Sequence, residues 1–179
     1  MSNLILKPIG VIHSQFQQAA GTPIQSALAQ GSEGWVEVFT EFVPGLQDLE
    51  GFERIWLFYW FDRAAPARLV VKPFLDPQER GVFATRSPSR PNPIGLSCVR
   101  SLGIDGGKLR IGDVDILDGT SLLDIKPYAP SLDCFEVKRV GWLEDKGGHR
   151  VVADDRFERK SETRRRPQTS VRLRHVDRS

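Results

Sequence analysis

Residues 95–118 read GLSCVRSLGIDGGKLRIGDVDILD. Two runs rich in apolar residues flank Asp105-Gly106-Gly107, and Asp-Gly and Gly-Gly are the dipeptides that favour the positive φ angles of a tight hairpin turn. The stretch therefore predicts two antiparallel strands, 95–105 and 108–118. Working outward, similar patterns recur. EGWVEVF (33–39) alternates apolar with polar residues and predicts a half-buried strand. RIWLFYWF (54–61) is continuously apolar after its first residue. It predicts a strand buried on both faces, because Asp62 and the Ala/Pro run behind it stop the segment too early for a helix. Leu4 to Ser14 is β-like but interrupted by Pro8 and Gly10, as at a bulge or sheet edge. Downstream, DGTSLLDIKPY (118–128) follows a second turn at Asp118-Gly119, and FEVKRVGWL (135–143) is expected to close the core. LQDLEGF (46–52) has short helical spacing ended by a glycine, and Gln15 to Gly34 reads as a long polar loop of the kind that is functional or disordered in a compact domain. The expectation is a mainly all-β fold, a compact single β-barrel of short strands with short helical turns. It occupies residues 1–143, and residues 144–179 form a basic C-terminal extension.

A chain of 179 residues with 40% hydrophobic content can bury the core of one such domain. No apolar run approaches the roughly 20 residues of a membrane span, and MSNLILKPIGVIHS lacks the layout of a signal peptide. The chain is accordingly expected to be cytoplasmic and away from membranes. Cys98 and Cys134 lie in no metal-type spacing and are expected as reduced thiols. The net charge of +2 hides an asymmetry. From Arg156 onward there are nine Lys or Arg against three Asp or Glu, so the tail is strongly basic and the rest acidic. Such a tail is either simply solvated or a polyanion-binding arm, since ETRRRP (162–167) and VRLRH (171–175) would neutralise phosphates. His13, His149 and His175 are scattered, so no metal site is expected. There is no nucleophile elbow, Walker loop or dinucleotide glycine fingerprint.

Two constellations carry chemistry. In TRSPSRPNPIGLS (85–97), Ser87, Arg90 and Asn92 each precede a proline, which stiffens the loop before any tertiary contact forms. Arg86 and Arg90 are fork-shaped donors suited to carboxylate or phosphate, although a rigid connector with solvated arginines fits the same pattern. In DVDILDGTSLLDIKPY (113–128), four aspartates lie in an apolar run whose Asp118-Gly119-Thr120 turn offers backbone groups to a flat heterocycle. An acidic hairpin with Lys126 as counter-ion is the alternative.

These stretches, with IGVIHS (9–14) and VPGLQDLEGFERIWLFYWF (43–61), resemble the TsaA-like family of tRNA (adenine-N6) methyltransferases, the TrmO/YaeB type, over about Lys7 to Tyr128. The resemblance implies a compact β-barrel, S-adenosyl-L-methionine as cofactor near the interface of a homodimer, and tRNA as partner. The implied activity is N6-methylation of threonylcarbamoyl-adenosine at position 37. It also implies a cofactor site from four segments: Pro23, Gln25, Ser26 and Ala27; Phe61, Asp62 and Arg63; Arg86 and Leu96; and Asp115, Ile116, Leu117, Asp118, Gly119 and Thr120. Asp118, Asp62 and Tyr128 are unranked candidates for the catalytic proton acceptor. Arg90, Lys126, Arg164, Arg165 and Arg166 are candidates for RNA, with Arg90 open also to a partner subunit. Trp56, Tyr59, Trp60 and Phe61 are either base-stacking or core. Two departures stand out: Ser121 replaces the proline usual after Asp-Gly-Thr, and the basic tail stands where bacterial members commonly carry a further small domain. A methyltransferase acting on a small molecule or another RNA, and a non-catalytic cofactor- or RNA-binding module, are the competing readings.

Overall fold

The computed structural model describes residues 5–146 and 152–159. Six strands close into an antiparallel barrel in the order β1-β2-β7-β6-β3-β8: β1 (Gly10–Ser14), β2 (Glu33–Val38), β3 (Arg54–Trp60), β6 (Ile94–Asp105), β7 (Lys108–Gly112) and β8 (Thr120–Pro127). A separate two-stranded ribbon pairs β4 (Val70–Val71) with β5 (Arg80–Gly81). The only α-helix among the described residues is one turn, α1 (Pro130–Asp133). None of the described helices is long and apolar enough to cross a membrane.

The hairpin forms where the sequence places it. Asp105 pairs with Lys108 across Gly106, whose φ of 55° suits glycine. Its second strand is shorter than expected and ends at Gly112. Asp113 then adopts φ 61°, and its carboxylate accepts from Arg54 Nη2 at 3.0 Å and Arg100 Nε at 3.1 Å. The chain leaves the ladder there, and Val114 and Ile116 turn into the core beside Ile12, Val36, Leu57, Val99, Leu109 and Leu122. Each such side chain contributes about 1.5–3 kcal/mol by leaving water.

Two expectations are corrected. β3 is buried on one face only: Ile55, Leu57 and Tyr59 point inward while Trp56, Phe58 and Trp60 lie on the outer face. An antiparallel barrel has one inside, so alternation wins over the continuous apolar run. FEVKRVGWL does not close the core. Phe135, Val137 and Val140 are exposed, and the segment holds only a short 3-10 turn, Gly141–Leu143. β8 already pairs with both β1 and β3, so no edge is left for another strand. The short helical turns expected around LQDLEGF form as 3-10 turns, Thr40–Leu46 and Leu49–Gly51, the second ending at the glycine, and these bury Leu46 and Leu49.

Residues 152–159, within the expected extension, pack back onto the barrel. Val152 bridges to Pro23 and Glu158 to Ala64. Phe157 joins Val71, Val82 and Phe74 in a second small core. This strap ties the 19–25 loop to the segment after β3.

Candidate functional site

A cleft of about 1020 Å³ opens at the barrel end where β3 finishes and β8 begins. Its lining comes from the 19–25 loop, residues 61–64 after β3, the proline loop with the start of β6, the 115–120 turn, and residues around Trp142 and Phe157.

Two polar residues of the lining stand out: Tyr59, which is buried, and Asp115, which is half-buried with one oxygen sealed from solvent. The Tyr59 hydroxyl lies 3.0 Å from Ser97 Oγ, and burial, reinforced by the Asp115 charge, raises its pKa and keeps it neutral. Its ring lies directly on Gly95, where any Cβ would overlap it. Glycine is required at that position by contact, not by φ. Asp115 Oδ1 is sealed from solvent and has no hydrogen-bond partner among the described residues. Burial pushes this carboxyl up to about 6, against the opposing pull of Ser97 and Arg86. A sealed, unpartnered carboxylate oxygen beside a cation is costly for a fold and suited to a donor that arrives from outside.

The 115–120 turn hangs from β1 and from Arg63. Ser14 Oγ donates to Ile116 O at 2.6 Å, Asp118 N–H to Phe16 O at 2.7 Å, and Gly119 N–H to Ile12 O at 2.9 Å. Arg63 Nη2 donates to Asp118 O at 2.6 Å and Thr120 Oγ1 at 3.3 Å. Gly119 takes φ 76°. Ser121 stands opposite Val11 in the β1–β8 ladder. In the proline loop, Arg86 donates to Gln25 Oε1, which links two of the lining segments. Arg90 folds back onto its own loop, donating to Thr85 O at 3.2 Å and Ser87 O at 3.4 Å.

The structure thus brings most of the expected cofactor set together. Pro23, Gln25, Phe61, Asp62, Arg63, Arg86, Leu96, Asp115, Ile116, Leu117 and Thr120 line the cleft, as does Arg90. Ser26 and Ala27 lie behind Gln25 in the 3-10 turn Ser26–Leu28, with the Ser26 backbone near the Asp115 carboxyl. Asp118 and Gly119 are not in the lining. The Asp118 carboxylate instead faces His13 Nδ1 and the Ser14 N–H, each at 3.2 Å. Tyr128 lies beyond the other end of β8, its ring edge-on to Trp56 at 5.8 Å, because the antiparallel register carries that end of β8 toward the start of β3. Lys126 is on the same remote stretch, ion-paired with Asp124 at 2.8 Å. Of the three proton-acceptor candidates, only Asp62 lines the cleft. Of the four candidate stacking aromatics, Tyr59 and Phe61 line it, and Trp56 and Trp60 do not. Arg164, Arg165 and Arg166 lie outside the described residues. Sequence reasoning missed Phe74, Phe83, Trp142 and Phe157, which also line the cleft. Phe74, Phe83 and Phe157 signal only as isolated aromatics, and Trp142 lies in a stretch whose composition points to the core instead.

A closed six-stranded antiparallel barrel with a built cleft at its end is a ligand-binding barrel, not a doubly wound nucleotide fold. The comparisons make the class specific. Residues 11–134 match the tRNA-methyltransferase O N-terminal domain. A probable S-adenosyl-L-methionine-binding protein of Pyrococcus abyssi is 55% identical over 138 residues, covering 77% of this chain and 75% of that protein. A tRNA (adenine(37)-N6)-methyltransferase of Mus musculus is 36% identical over 138 residues, covering 73% of this chain and 32% of that enzyme. The crystal structure of TrmO from Pseudomonas aeruginosa superposes with a TM-score of 0.66 at 37% identity, over 79% of this chain and 63% of that one. The chain belongs to the tRNA-methyltransferase O family, and it spans about a third of the mammalian enzyme and under two thirds of the Pseudomonas TrmO chain.

Proposed function

We propose that the chain is an S-adenosyl-L-methionine-dependent methyltransferase that methylates N6 of threonylcarbamoyl-adenosine at position 37 of tRNA. The observation that carries the reading is that Asp115 Oδ1, buried without a partner among the described residues, lines the same cleft of this family's barrel as the Arg86 guanidinium, whose charge acts on it. That donor and acceptor set fits the cofactor. Arg86 would hold its carboxylate. Asp115 would accept from one of its N–H or O–H groups, and Tyr59, Phe61, Leu96 and Ile116 offer apolar surface to its remainder. When bound, this cofactor supplies a methyl group activated on a sulfonium, ready for in-line displacement.

The chain's own work is alignment and proton removal. The four lining segments, cross-tied by the Arg86–Gln25 and Arg63–Asp118 hydrogen bonds, hold the cleft in one shape. An exocyclic nitrogen that gains a methyl group must release a proton. The Asp62 carboxylate stands in the lining, its Oδ1 3.5 Å from Arg63 Nε, and takes that proton in this reading. The protein works as a cytoplasmic homodimer with the cofactor near the subunit interface. Arg90, Lys126 and the Arg164–Arg166 run serve the RNA.

The test is transfer of labelled methyl from the cofactor to purified tRNA carrying threonylcarbamoyl-adenosine, followed by nucleoside mass spectrometry. Label on N6 of that nucleoside is expected. Cofactor binding without label in any tRNA would reject the substrate. One observation favours a second reading, a binding module without turnover: the Pyrococcus relative is named only as a binding protein. Accumulation of S-adenosylhomocysteine with a cellular RNA pool would exclude it.

A further inference from the structure

Beyond Tyr59, Arg86 and Asp115, the cleft is walled by aromatic rings to which the proposed methyl transfer gives no role. They divide into two kinds. Phe157 is 8% exposed and meets Phe74 edge-on at 5.2 Å, so that pair is a small core. Phe83 is 77% exposed, although Val82 just before it is 1% exposed. The 3-10 turn Val82–Ala84 sends one side chain in and presents the other. Trp142 is fixed to this same turn, its indole Nε1 donating to Ala84 O at 2.7 Å. The Arg80 guanidinium, which is not part of the lining, stands 5.8 Å over the indole ring and backs it. A few residues on, the chain reaches Arg86, so the rings are joined to the cofactor-facing cation through one rigid loop.

Flat aromatic surface held beside guanidinium groups on the wall of a cleft suits a planar ring that carries phosphate, as in a nucleic acid. We infer that Phe83 and Trp142 form the stacking platform for the acceptor nucleobase, turned out of an RNA loop next to the cofactor. This rests on the methyltransferase reading and adds where the base sits. Arg86 and Arg90, a few residues beyond Phe83 on the same loop, offer cations to the phosphates of a strand on that side of the cleft, while Asp62, Asp115, Asp154 and Glu158 line its other segments.

The test uses the full chain with S-adenosylhomocysteine and two labelled RNA hairpins, one with an unpaired adenosine in its loop and one abasic at that position. Fluorescence anisotropy should show the adenosine hairpin binding about tenfold more tightly than the abasic one. Phe83→Ala should erase that difference and Phe83→Tyr retain it, while calorimetric affinity for S-adenosylhomocysteine stays unchanged. Trp142→Phe should keep most of the preference, and Trp142→Ala lose it. A base preference that survives Phe83→Ala overturns the platform, as does a parallel loss of S-adenosylhomocysteine affinity. Conversion of a dimer to a monomer by Phe83→Ala in sedimentation also overturns it, by assigning the exposed ring to a second copy of the chain. If no methyl is transferred yet base-dependent binding still needs Phe83, the platform stands and the methyltransferase reading falls.

Discussion

Asp113 and Asp115 are separated by one residue and face opposite electrostatic fates. Asp113 is 4% exposed, and its carboxylate is neutralised by two guanidinium groups, from β3 and from β6. Asp115 has an oxygen equally cut off from water and nothing bonded to it. The first arrangement satisfies a buried charge within the chain and so fastens three strands to the point where the ladder ends. The second leaves one carboxylate oxygen without a partner among the described residues, despite the pull of Ser97 and Arg86 on the group, and in the proposed reading that oxygen meets an incoming donor. A saturated buried carboxylate marks architecture, and an orphaned one marks a site.

The largest effect is expected from breaking the saturated member. Asp113→Ala leaves Arg54 and Arg100 facing each other without their shared anion and places alanine at a positive φ. Loss of one partner from a fully buried pair costs about 3–5 kcal/mol. Both arginines retain some solvent, which brings the expected cost to about 3 kcal/mol. Chemical denaturation checks this. Affinity for S-adenosylhomocysteine should stay within about twofold in the same variant, because neither arginine lines the cleft. A variant that folds normally but loses ligand affinity would erase the distinction.

Asp115→Asn tests the other member, with the opposite sign for stability. Burial holds the folded carboxyl near 6, against an ordinary value of 3.8. The folded chain therefore binds this proton more tightly than the unfolded chain. Stability is greatest below about pH 4, falls as pH rises through the window from about 4 to 6, and stays low above it. Holding the ionised carboxylate in that environment costs the fold about 2 kcal/mol once the residue's partial exposure is allowed for. An asparagine at this position carries no charge, so Asp115→Asn should flatten that slope and stabilise the protein by about 2 kcal/mol at pH 7. Ligand affinity should fall about tenfold at the same pH, a trade of binding for stability that melts and calorimetry at pH 4 and pH 7 would resolve.

The same contrast explains what the sequence made legible. The hairpin turn could be read because Gly106 must supply positive φ, a local demand that local sequence meets. The segments that line the cleft could be picked out because their motifs are contiguous. What could not be read depends on closure. Whether Trp56 or Tyr59 faces inward is set by which side of β3 the barrel encloses. Tyr128 is near Thr120 along the chain, but β8 carries it away from the cleft. FEVKRVGWL has the composition of a strand and no free edge to join. Phe157 reaches its small core only because the strap returns across the barrel, and no periodicity announces that path.

Asp118 offers the smallest and most discriminating effect. Desolvation acts to raise its carboxyl, but the Ser14 N–H, Gln17 and His13 outweigh it and hold the group below the usual range. Its contribution to stability is therefore present above the ordinary carboxyl value and is lost as pH falls through the lower folded one. Asp118→Asn weakens the hydrogen bonds from Ser14 and His13 that fasten the 115–120 turn to β1, at about 1 kcal/mol. As a clamp, Asp118 acts through that turn. The variant should show a severalfold rise in KM for the cofactor with kcat nearly unchanged. As the proton acceptor, it would instead lower kcat by about a hundredfold or more with KM retained. The carboxylate sits between His13 and Ser14 and not in the lining, so the first outcome is expected. Asp62→Asn, measured alongside, should give the second.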